Sequence, residues 1–302
     1  MVKKFSIPGY FYYVNQIRMI EEYRKMRPEF FYPDRIIDSS YDFPPGLIWN
    51  GGRPQPFHNF EHSYLLGVAE YYNQESEIKI RHTCTNLLLV PEMLYDWQCN
   101  LWLQINEHEG NGVIVATELL KEYVKERYPK YDVINSTTLN ITDIDEINKL
   151  SKSDLTVLNY TKNNDDEYLK QLQHPENIEI LCAEPCSINC KNRKKHYEQT
   201  SRFQLWIDLD LDEYCPHVDE MPYNFYDVQK LPTAVDNDRV DQLAELGIQY
   251  FKLSGRQSPI HSWYEQIIYY LILPEYRDRV RQDWLNIEYN IIMLKDVKGV
   301  IR

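Results

Sequence analysis

Along this chain, short runs of apolar residues at period two alternate with longer stretches in which apolar residues recur every third or fourth position. The first pattern marks strands and the second amphipathic helices, so the alternation predicts β/α units. Strands are expected at Arg35–Ser40, Glu77–Thr83, Asn100–Ile105, Gly112–Val115, Tyr131–Ser136, Leu155–Leu158, Ile178–Leu181 and Ile248–Phe251. Helices fit between most of them. Thr117–Tyr128 opens with Thr117 as N-cap and puts Leu119, Leu120, Tyr123 and Val124 on one face. Ser258–Ile272 opens with Ser258 as cap and Pro259 at the first helical position. The sum predicts an α/β protein, a single (β/α)8 TIM-like barrel spanning residues 1–302. Residues 1–34 form an N-terminal preface with a helix at Val14–Met26, and residues 275–302 a closing helix. Two places sit badly with this scheme: the third and fourth strands are only about six residues apart, too few for a crossover, and residues 200–240 are long and irregular.

In a closed parallel barrel, chemistry gathers at the C-terminal ends of the strands, and the loops after the last two strands often hold an anion. The last strand closes against the first, so the loops after strands seven, eight, one and two adjoin. Candidate residues cluster there. After the first expected strand come Trp49-Asn50-Gly51-Gly52-Arg53, after the second Thr83-Cys84-Thr85-Asn86, and after the eighth Phe251-Lys252-Leu253-Ser254-Gly255-Arg256. Lys252, Arg256 and Arg53 are candidate grips for a carboxylate or phosphate, or surface ion pairs and turns. Asn50 and Asn86 are candidate substrate-orienting groups, and Asn86 is equally a helix cap.

The densest signal follows the seventh strand, in Cys182-Ala183-Glu184-Pro185-Cys186-Ser187-Ile188-Asn189-Cys190-Lys191-Asn192-Arg193-Lys194-Lys195-His196-Tyr197. On one helical turn Cys186 and Cys190 would face the same way. Thiolates so placed suit zinc or iron, and Arg193, Lys194, Lys195 and His196 would favour the thiolate forms. Cys215 is the natural third ligand; Cys84 and Cys182 are candidates for the fourth. The competing reading is of ordinary buried cysteines. His58-Asn59-Phe60-Glu61-His62 fits a zinc motif without an evident third ligand. Asp208-Leu209-Asp210-Leu211-Asp212 lacks the glycine and the final glutamate of a calcium loop and reads as a solvated acidic stretch.

Composition narrows the partners. Lys and Arg number 33 against 46 Asp and Glu, a net charge of −13. That repels a long nucleic-acid duplex and leaves a small molecule or a single RNA base as substrate. No apolar run is long enough to span a membrane, and none follows the charged start Met1–Phe5 as a secretory signal would. Six cysteines in such a chain point to a reducing, cytoplasmic setting.

Taken together, Glu184-Pro185-Cys186 through Cys190, Arg193, His196-Tyr197 and the run Phe251–Arg256 resemble the collagenase-like peptidase family. The last run is similar to that family's Phe-Lys-Ile-Glu-Gly-Arg signature, with Ser254 in place of the acid. The resemblance extends from about residue 35 onward, and Trp49–Arg53 and Thr83–Asn86 share it. It implies two activities. One is the peptidase activity of the family's name. The other belongs to relatives that hold a 4Fe-4S cluster on four cysteines and hydroxylate a ubiquinone precursor or structured-RNA bases without oxygen, with prephenate as oxygen donor. On this basis the leading expectation is an iron–sulfur hydroxylase-type enzyme. Cys186, Cys190, Cys215 and Cys84 hold the cluster, Glu184 or His196 moves protons, and Asn50, Arg53, Asn86, Arg193, Lys252 and Arg256 bind substrate. The alternatives are a zinc-dependent peptidase and a non-catalytic partner that pairs, as homo- or heterodimer, with a related barrel.

Overall fold

The computed structural model describes residues 1–52, 61–188, 190–207, 222, 224–255 and 259–298. In chain order they form β1 (Lys3–Pro8), α1 (Val14–Met26), β2 (Arg35–Asp42), α2 (His62–Glu70), β3 (Lys79–Cys84), α3 (Trp97–Ile105), β4 (Gly112–Val115), α4 (Glu118–Arg127), β5 (Asp132–Asn135), α5 (Ile144–Ser151), β6 (Leu155–Val157), α6 (Asp166–Leu169), β7 (Ile178–Leu181), α7 (Arg193–Gln204), α8 (Phe225–Val228), α9 (Asn237–Glu245), β8 (Tyr250–Lys252), α10 (Ile260–Leu271) and α11 (Arg277–Lys298). Every strand pairs in parallel with the next, and β8 closes on β1 through Phe5 and Phe251, so the expected eight-stranded barrel is present.

Its membership differs from the sequence reading at two strands. The expected preface contains β1, whose Phe5 and Ile7 are fully buried. The expected strand Asn100–Ile105 is the second half of α3. The side chain of Asp96 caps that helix by accepting from the Cys99 amide at 2.8 Å. Cys99, Trp102 and Leu103 are buried while Trp97 and Leu101 are exposed, a helical rather than an alternating pattern. This helix supplies the crossover that a six-residue link between strands could not. The remaining expected strands lie in β2–β8, and the loops assigned above to strands one and two follow β2 and β3. Thr117 does cap α4, accepting from Leu120 N at 3.3 Å.

Alternation along the strands separates two interiors. Phe5, Ile80, Val113, Ile178, Ile180 and Phe251 face outward into the layer between barrel and helices. His82 belongs to that layer too, with Nδ1 2.9 Å from the Tyr10 hydroxyl and Nε2 3.2 Å from that of Tyr131. Burial pushes the His82 pKa down to about 3, so the folded ring is neutral. The unfolded chain takes up a proton below its ordinary pKa, near 6.5, and the folded chain does not until about pH 3. Stability contributed here is therefore complete above that ordinary value and falls with acidification by up to about 1.4 kcal/mol per pH unit. Urea unfolding at pH 7, 6 and 5 is expected to show this slope in the wild type and its reduction in His82→Gln.

The lumen of the barrel is divided. Tyr41, Ile114, Ile134 and Val157 form a small apolar plug on the β2 and β4–β6 side. The rest of the lumen is ionic. Arg81 Nη1 lies 2.5 Å from Glu179 Oε1, Arg81 Nη2 lies 3.3 Å from Asp38 Oδ2, and Lys252 Nζ lies 3.8 Å from Glu179 Oε2. Glu179 is completely buried. An ionic chain thus runs up the lumen from the N-terminal end to the C-terminal mouth.

Candidate active site

Lys252, the last residue of β8, brings the top of that chain to the mouth. Its Nζ lies 3.9 Å from the centroid of the Tyr41 ring, whose hydroxyl donates to Leu253 O at 2.6 Å. Lys252, Tyr41, Thr83, Ser136, Glu184 and Tyr197 share the walls of a cavity of about 90 Å³. Thr85, Thr137 and Thr138 add further hydroxyls, and Ile114 and Leu181 form apolar wall. Such a site can take a small ligand that carries both an acid and an apolar ring: the cation meets charge, the hydroxyls fix orientation, and the aliphatic wall accepts the ring.

The loop after β2 is held onto the loop after β3 by backbone approach. Asn86 N donates to Trp49 O at 3.1 Å, and the Asn86 amide donates to Ile48 O and Ser201 O at 2.8 and 3.3 Å. Asn50 Oδ1 accepts from Gly51 N at 2.9 Å and from Thr83 Oγ1 at 3.4 Å. Both asparagines are fully buried, and neither lines the cavity. They position the threonines that do. Gly51 is required by proximity: a Cβ there would stand 2.4 Å from the Thr85 carbonyl oxygen. Gly51→Ala is expected to push the two loops apart at a cost of about 1–3 kcal/mol, read as a lower midpoint in urea unfolding.

The cysteine segment leaves β7 beside this cavity. It is not helical at Cys186 and Cys190; α7 starts only at Arg193. Arg193 organises the turn. Its Nη2 lies 3.3 Å from Cys186 Sγ and donates to Ser187 O at 2.9 Å, and its guanidinium lies 4.1 Å from the ring centroid of Tyr160. The Tyr160 hydroxyl donates to the same Ser187 carbonyl at 3.1 Å. Glu184 Oε1 accepts from Cys186 N at 3.3 Å, tying the cavity-lining carboxylate to the cysteine turn. His196 is buried on the first turn of α7, next to the cavity-lining Tyr197.

The six cysteines therefore divide. Cys186 and Cys190 are half-exposed thiols, neither in a disulfide, on the segment between β7 and α7. Cys84, Cys99 and Cys182 are buried among apolar residues outside the barrel wall, where burial pushes each thiol pKa up. Cys215, Arg53 and Arg256 lie outside the described residues, as do His58 and the stretch Asp208–Asp212. Among the described residues, no group of three or more His, Cys, Asp or Glu side chains is gathered in a metal-binding arrangement. The structure thus puts Glu184 and Lys252 in the wall of one cavity, ties Cys186 and Arg193 to it through Glu184, and sets Cys84 apart. Tyr41, which the sequence reading did not single out, and Tyr197 line the same cavity, while Glu179 and Arg81 lie deeper in the lumen beneath Lys252. An acid alone in the apolar run Ile178-Glu179-Ile180-Leu181 was the available signal, because alternation sends it into the lumen.

The fold has a solved counterpart. The structure of the U32 peptidase Mk0906 superposes with a TM-score of 0.53 over 86% of this chain and 95% of that one, at 12% sequence identity. Similarity to collagenase-like peptidases thus holds at the level of the barrel. No protein-family profile matches the sequence, and no curated protein sequence matches it significantly. No helix among the described residues is long and apolar enough to cross a membrane.

Proposed function

We propose that the chain is an iron–sulfur enzyme of the oxygen-independent hydroxylase type, acting at the barrel mouth with a small carboxylate-bearing compound. The observation that carries this reading is the hydroxyl-lined cavity with Lys252 in one wall and Glu184 in another, the latter hydrogen-bonded to the Cys186 turn. Cys186 and Cys190 fit a soft metal as half-exposed thiols, and Arg193 supplies a cation beside one sulfur. With Cys84, Cys99 and Cys182 buried apart, the ligand set is Cys186, Cys190 and Cys215, with the fourth position left to a group other than cysteine. A bound cluster would supply electron transfer. Lys252 pairs with the carboxylate, the threonine and serine hydroxyls orient the ring, and Glu184 exchanges a proton with substrate at the cavity wall.

Prephenate, the oxygen donor of the hydroxylases this sequence resembles, is the probe. Calorimetric titration of protein made without oxygen is expected to show binding that weakens roughly 10- to 100-fold in Lys252→Met, the worth of a hydrogen bond to a charged group. Absence of prephenate binding, together with chelator-sensitive cleavage of peptides by the zinc-loaded protein, would replace this reading with peptide hydrolysis. The barrel similarity to a U32 peptidase makes that the second reading.

A further inference from the structure

The N-terminal end of a barrel ordinarily serves stability. Here it opens a cavity of about 370 Å³, larger than the one at the mouth and within the size range of small-molecule sites. Three cations, Lys79, Arg81 and Lys125, line it together with three carboxylates, Asp38, Asp132 and Asp154. A pure anion would face the three acids and a pure cation the three bases, so the lining matches a ligand carrying both charges.

The charges are also spaced. Asp154 is held by Lys121 and Lys125 at 2.9 and 2.6 Å. Asp38 is shared, loosely, between Arg81 at 3.3 Å and Lys79 at 3.8 Å. Asp132 forms no ion pair among the described residues. In the sheet register Arg81 pairs with Gly112, and Gly112 with Asp132. Cation and acid are thus separated by two strand spacings, roughly 10 Å between their backbones, with bare glycine between them. A Cβ on Gly112 would come within 2.9 Å of Ile134 and 3.4 Å of Arg81, filling this notch.

We propose that this cavity binds a free amino acid, with its carboxylate toward Arg81 and Lys79 and its ammonium toward Asp132. The site is independent of the chemistry proposed at the mouth, at the opposite end of the lumen.

The test is calorimetric titration of the full chain with each of the twenty common free L-amino acids, followed by the N-acetyl and amide forms of whichever binds. At least one is expected to bind, and both derivatives, which each remove one charge, to bind at least tenfold more weakly, about 1.4 kcal/mol. Asp132→Asn and Lys79→Met, both at exposed side chains that the fold tolerates, are expected to weaken it by the same factor. Glu184→Gln, at the mouth, is expected to change it less than twofold. No binding below about 10 mM, binding indifferent to both derivatives, or binding that survives Asp132→Asn and is lost in Glu184→Gln would overturn the proposal.

Discussion

Glu179→Gln is expected to cost about 3–5 kcal/mol of folding stability, because it leaves two buried cations without their shared anion. Arg81 and Lys252 converge on this carboxylate in the lumen, at 2.5 and 3.8 Å, with Asp38 a looser second partner of Arg81 at 3.3 Å, and Glu179 itself has no exposed surface. The amide keeps the shape and removes the charge, so packing does not confound the result. Lys252→Met alone is expected to be mild, since the tighter Arg81–Glu179 contact survives. In the double variant Glu179→Gln with Lys252→Met, one uncompensated charge is gone, and part of the loss should return. The non-additivity from urea unfolding of the four proteins measures the coupling. A loss below about 1 kcal/mol in Glu179→Gln would mean that the lumen is wet enough to screen the ions.

The second large effect concerns metal. Cys186→Ala with Cys190→Ala is expected to abolish bound iron and its visible absorbance. Stability of the metal-free protein should change little, because both thiols are half-exposed. Cys84→Ala should do the reverse. Its sulfur fills space in the closed layer around Cys99 and Tyr131, so the deletion costs about 1–3 kcal/mol while iron content stays at the wild-type level. Iron retained in the double variant, or lost in a folded Cys84→Ala protein, would remove the ligand assignment.

How far the sequence alone could lead is best seen in particular residues. The alternation in Ile178–Leu181 and the capped helix after Thr117 were plain because local preference and tertiary placement agree there. β1 was hidden because its two lysines and terminal proline break the apolar run, although Phe5 and Ile7 mark its buried face. Asn100–Ile105 misled because Leu, Trp and Ile suit both strand and helix, and the deciding residue, Asp96, lies four positions upstream. At the mouth, Lys252, Glu184 and Cys186 could be named from loop position. The placement of Cys84 could not, since one step of alternation separates Thr83 and Thr85 in the cavity wall from a thiol in the outer layer. The ion pair between Arg81 and Glu179 joins residues far apart in the chain, and only closure of the barrel brings them together.

The central claim, that thiols at the rim of the barrel hold an iron–sulfur centre, is tested most directly by counting iron, zinc and acid-labile sulfide per chain in protein purified without oxygen. The account predicts about three to four iron atoms with matching sulfide. Fewer than about two iron atoms per chain, with zinc or no metal in their place, would contradict it.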